Sequence, residues 1–116
     1  MIRLEEKPFE LDGQRYTLRC NMAVLERVEE AHGDMEAVMA LTVRQSSVEF
    51  LAAMLNDDAE QRGLDIVWTT EALKRKLSYA MLTKLDIMGM VFRAISPTGA
   101  AAHRDEAEYA PENKGN

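Results

Sequence analysis

The sequence contains one cysteine, Cys20, so no disulfide can staple the fold from within. It has two histidines, His32 and His103. Glu29 and His32 stand at the Glu-x-x-His spacing that di-iron helical bundles use, but such a site needs a second copy and further carboxylates from facing helices. Only His103 is left to supply that copy, so the set stays incomplete and His32 reads as a helix-end or surface residue. No apolar run approaches the ~20 residues that cross a bilayer. The longest, Ile87 to Ile95, is short and contains Arg93. Residues Met1 to Lys7 lack the apolar stretch of a signal peptide. Together these absences lead us to expect a reducing cytoplasm and no membrane contact.

Positive charge is scarce as well. Fourteen Lys and Arg stand against 20 Asp and Glu, for a net charge of -6. Nucleic-acid binding calls for a basic stripe, because Lys and Arg must displace counterions from phosphates. The basic run here, Lys74-Arg75-Lys76, is flanked by Leu73 and Leu77 and reads as the solvated side of an amphipathic helix. A small helical regulator of DNA or RNA is therefore a poor fit. Phosphate-cradling glycine loops and nucleophile-elbow serines are also missing. Asp57, Asp58 and Glu60 cluster without the glycine turn of a cation loop, and a solvated helix end accounts for them. Cys20 has no evident histidine partner. No catalytic, cofactor-binding or metal-binding residue is expected, and neither is an enzyme.

What the chain does have is the composition of one ordinary globular domain: 116 residues, 47% hydrophobic and 29% charged. Such a chain buries a modest core and has little room for an internal pocket, so function belongs on the surface. Phe9 and Leu11 sit two apart, as do Tyr16 and Leu18, around Asp12-Gly13. That pattern predicts a β-hairpin at about residues 8–19, with Pro8 suited to an edge strand.

From Asn21 the period becomes helical. Asn21 can cap a first helix that Gly33 stops, and Asp34 can cap a short second one with Met35, Val38, Met39 and Thr42 inward. Ser46 and Glu49 match a capping box for a third helix, with Val48, Leu51, Met54 and Leu55 on its apolar face, ending near Gly63. Leu64 to Trp68 reads as an extended connector. Thr69 is the next N-cap, with Trp68 and Leu73 at the positions of a hydrophobic staple. A stripe then runs through Leu73, Leu77, Met81, Leu85, Met88, Phe92 and Ile95, as one long helix over 70–95 or as two broken near Ser78 or Thr83. Gly89 interrupts it, either for a close helix crossing or as a tolerated weak point. Ser96-Pro97 ends the last helix. The expected fold is mainly α: a small helical domain over 1–96 with an N-terminal β-hairpin, then a flexible polar tail over 97–116.

Eight methionines are many for this length. Core filling explains most of them, but methionine also suits adaptable binding surfaces. Ile87 and Met90 lie off the main stripe. With Val91, they are the candidates for a second, exposed or interfacial face that binds a partner.

The run from Phe9 to Arg19, followed by Asn21 to Glu30 and His32-Gly33, resembles the start of the tail assembly chaperones of long-tailed phages, prophages and gene transfer agents. In that family a similar "dGxxYxL" hairpin precedes a short helix ending in glycine. Trp68 to Leu73 and the helix closing at Ala94-Ile95-Ser96-Pro97 fit the same plan, so the resemblance covers roughly residues 8 to 97. It implies a non-enzymatic protein of the host cytoplasm whose partners are the tape measure protein and the tail tube protein. It also leaves open a homo-oligomer and a longer frameshifted product beginning near Ser96. The alternative is a structural virion component, such as a head–tail completion or connector protein.

Overall fold

The computed structural model describes residues 3–96. The tail expected over 97–116, and His103 with it, lies outside the described residues. Eight elements follow in order: β1 (Lys7–Leu11), β2 (Gln14–Leu18), α1 (Met22–His32), α2 (Met35–Met39), α3 (Val43–Gln61), α4 (Thr70–Lys74), α5 (Tyr79–Leu85) and α6 (Ile87–Ile95). Helix makes up 60% of the structure, so the fold is mainly α with an N-terminal antiparallel hairpin. Among the described residues, no helix is long and apolar enough to cross a membrane.

The hairpin forms where alternation and the Asp-Gly turn place it. Asp12 and Gly13 both take positive φ, 53° and 78°, which matches the right-handed twist of the flanking strands. Phe9 stands opposite Tyr16, and Leu11 opposite Gln14. Leu11, Tyr16 and Leu18 turn into the core, while Pro8 and Glu10 face outward.

The centre of the molecule is α3. Nineteen residues give it a length of about 28 Å, and α1, β2, α4, α5 and α6 all lie against it. Its buried positions run almost all the way round, from Ser46 through Ala59, as expected of a helix enclosed by its neighbours. Phe50, Leu51, Met54 and Leu55 supply the bulk, and Ala52, Ala53 and Ala59 let the surrounding elements approach.

Three caps stand as the sequence suggests, and Ser78, expected only as a place for a break, is a fourth. The side chains of Asn21, Asp34, Thr69 and Ser78 each accept from a backbone N–H in the first turn of α1, α2, α4 and α5. The cap of α3 is different. The capping box is Thr42 with Gln45, not Ser46 with Glu49. The helix starts four residues earlier, and Ser46 lies buried inside it, its hydroxyl aimed at the Val38 carbonyl at 3.4 Å. Thr42 is accordingly a cap and not an inner-face residue of α2, and Met39 is half exposed.

The stripe over 70–95 is not one helix. It breaks at Ser78, and again at Asp86, whose φ of 52° puts a left-handed residue between α5 and α6. At Gly89 the nearest neighbour is the Asp86 side chain and not a crossing helix. A Cβ added there would fall within the Asp86 carboxylate, so the glycine makes room for the side chain that folds back over the start of α6.

Candidate functional site

Ile87, Met90 and Val91 do not form an exposed face. Their exposures are 1%, 1% and 0%, so all three belong to the core. The cause is Asp86. Once a left-handed residue resets the helix phase, α6 presents Ile87, Met90 and Val91 to α3, and Phe92 and Ile95, from the supposed core stripe, turn outward at 51% and 45% exposure.

The apolar surface lies elsewhere. Val43 begins α3 and Tyr79 begins α5, and both are more than two-thirds exposed. Between them runs a groove of about 240 Å³, walled by Val43, Arg44 and Ser47 on one side and Tyr79, Leu82 and Thr83 on the other, with Ile87 and Met88 at its base. Two of its three hydroxyls are taken up within their own helices. Ser47 donates to the Val43 carbonyl at 2.7 Å, and Thr83 to the Tyr79 carbonyl at 3.0 Å, so each is spent on its own helix. The groove is therefore mainly apolar, with Arg44, Asp86 and the Tyr79 hydroxyl as the polar groups left on its lining. Arg44 has no ionic partner among the described residues. Asp86 lies 3.6 Å from Arg93.

The chain matches no family model, no curated protein and no solved structure.

The acidic cluster on α3 is largely structural: the expectation of a solvated helix end fails for Asp57 and Asp58 and holds for Glu60. Asp57 and Asp58 are 3% and 2% exposed. Three consecutive residues of α3 each hold a different part of the fold. Asn56 brackets Trp68, accepting from its N–H at 2.7 Å and donating to its carbonyl at 2.8 Å. Asp57 accepts from the Asn21 side chain at 3.0 Å and so steadies the cap of α1. Asp58 accepts from the Thr17 N–H at 3.1 Å, from Arg19 at 3.4 Å and from Arg62 at 2.8 Å. Glu60 is exposed and pairs with Arg27. The sequence signal for these roles was weak, because a carboxylate bound to a remote backbone N–H has no local motif.

The remaining titratable candidates are not assembled into a site. His32 Nε2 is 3.3 Å from Glu49 Oε1, though without hydrogen-bonding geometry. Cys20 is buried, and burial pushes its thiol up to about 11, so it stays protonated and unreactive near neutrality. Among the described residues, no three His, Cys, Asp or Glu side chains converge on a point fit for a metal. The methionines divide between roles: Met54, Met88 and Met90 fill the core, whereas Met22 and Met39 are at least half exposed.

Proposed function

We propose that this chain is a tail assembly chaperone of the long-tailed phage type, a non-enzymatic protein that shields apolar helical segments of a tape measure protein and assists tail tube assembly. The exposed apolar rim of Val43 and Tyr79 over the groove at Met88 carries the proposal. Large apolar side chains bordering a concave surface offer burial to a partner helix, and burial of such faces suppresses aggregation. Phe92 and Ile95 add apolar area on the outer side of α6. The net charge of -6 keeps a protein with this much exposed apolar surface from collapsing onto its own copies. The resemblance of Phe9 to Gly33 to the chaperone family gives the partner its identity.

Co-purification with the tape measure protein from the same source tests the proposal. A soluble complex, formed with a tape measure that is insoluble alone, is the expected result. If the tape measure neither binds nor gains solubility, the proposal fails. Mass spectrometry of assembled particles then tests the virion-component alternative, since a chaperone leaves the particle and a connector stays.

A further inference from the structure

The two edges of the hairpin are not equivalent. A two-residue turn at Asp12-Gly13 makes Leu11/Gln14, Phe9/Tyr16 and Lys7/Leu18 the pairs that exchange backbone hydrogen bonds. The backbone groups of Glu10 and Pro8 on β1, and of Arg15 and Thr17 on β2, consequently point away from the hairpin. On β2 the helix α3 takes them up: the Thr17 N–H donates to Asp58, and the Arg15 carbonyl accepts from Arg62. On β1 nothing does so. The Glu10 N–H and the carbonyls of Glu10 and Pro8 have no hydrogen-bond partner among the described residues. An edge of this kind is a template for another strand.

Charge decides which strand. The outward row beside this edge is Glu6, Pro8, Glu10 and Asp12, all exposed. Glu6 is paired with Arg19 and Asp12 with Lys76, but Glu10 has no ionic partner among the described residues. A second copy of β1 is a poor occupant. Antiparallel pairing about Glu10 would set that carboxylate against itself, and like charges directly opposite are destabilising; pairing about Phe9 would set Glu10 against the copy's Pro8, which has no N–H to give.

We propose that the open edge of β1 is a strand-addition site for an extended segment of another protein, one that brings a Lys or Arg beside Glu10. Main-chain bonds to Glu10 and Pro8 would provide the grip, and the unpaired Glu10 carboxylate the selectivity. This site is separate from the helical groove and stands whether or not the chain is a tape measure chaperone.

The test uses the full chain and a synthetic peptide of alternating lysine and valine, about seven residues long, a typical strand length. NMR titration should move signals along residues 6–12 and slow exchange of the Glu10 amide. Glu10→Pro removes the outward N–H without breaking a bond between β1 and β2, and should weaken binding by about tenfold or more. Glu10→Gln keeps the N–H and loses the charge, and should cost about two- to threefold. A peptide N-methylated along one edge should bind no better than Glu10→Pro binds the parent, which keeps the test open if that variant misfolds. Equal binding by Glu10→Pro, or by the N-methylated peptide, would mean that charge alone holds the ligand and would overturn the proposal. Absence of binding at millimolar peptide would overturn it too. So would a Glu10 amide already protected in the free chain: concentration dependence would assign the edge to a second copy, and concentration independence to the chain's own residues 97–116.

Discussion

Two residues show how much of this fold hangs on single polar side chains. Asp58 is buried yet serves the hairpin, Arg19 and Arg62 together. Asp58→Ala leaves the Thr17 N–H without its partner, while the two arginines, each partly exposed, regain water. The expected loss is about 2 kcal/mol, read from urea denaturation, with the hairpin signals most perturbed. Asp86 and Gly89 behave as a pair. Alanine at 89 should gain about 1 kcal/mol of helix propensity, but its Cβ must displace the Asp86 carboxylate and the contact that carboxylate makes with Arg93. Asp86→Gly frees that space and relaxes the positive φ. Gly89→Ala should therefore stabilise more in the Asp86→Gly background than alone, and a double-mutant cycle measures the difference. Additive effects would show that the carboxylate swings aside at no cost.

At the scale of elements, the capping boxes give a direct comparison. Thr42→Ala breaks the box that starts α3 and should cost about 1 kcal/mol, whereas Ser46→Ala removes only a long contact and should cost less than about 0.5 kcal/mol. Thermal melts of the two variants suffice, and a larger loss at Ser46 would reverse the assignment. The case also shows where the sequence was legible. Thr42-x-x-Gln45 and Ser46-x-x-Glu49 are equally good matches locally, and what selects the first is tertiary: Ser46, Ser47 and Val48 have to lie inside α3 to face the other elements. The hairpin and the caps at Asn21, Asp34 and Thr69 were readable because each rests on a local rule. The end of the chain was misread for the opposite reason. A stripe counted at three- and four-residue steps presumes one continuous helix, and the left-handed Asp86 resets its phase. That single residue moved Ile87, Met90 and Val91 into the core and Phe92 and Ile95 out of it. The groove was invisible from sequence because Val43 and Tyr79 are 36 positions apart and meet only through packing of α5 on α3.

At the scale of the whole molecule, one ion pair joins the two ends of the described chain, and one surface sets its outward behaviour. Arg93 on α6 donates twice to Glu5, at 2.9 and 3.0 Å, and these bonds hold the Glu5 carboxyl below its ordinary value of 4.5. A depressed carboxyl stabilises the fold above the unfolded value and loses that contribution as pH falls through the folded one. Both groups are partly exposed, so screening limits the effect to about 1 kcal/mol or less. Glu5→Gln should accordingly lower stability at neutral pH and converge with the parent chain as both are acidified below the usual carboxylate range. A constant gap at every pH would rule out the pair as its cause. The binding surface permits a cleaner separation of folding from function. Val43 and Tyr79 are each the first residue of a helix, where a carboxylate meets the positive end of the helix dipole. Val43→Asp and Tyr79→Asp therefore remove the apolar rim without weakening α3 or α5, and stability should stay within about 0.5 kcal/mol of the parent. Ile87→Ala hollows the core beneath and should cost about 2–4 kcal/mol. If the groove receives the tape measure, the two aspartate variants should fold normally yet fail to keep it soluble, while Ile87→Ala should fail only in proportion to the fraction unfolded. Full solubilisation by the double aspartate variant would remove this groove from the binding surface and leave Phe92 and Ile95 as the apolar residues to substitute next.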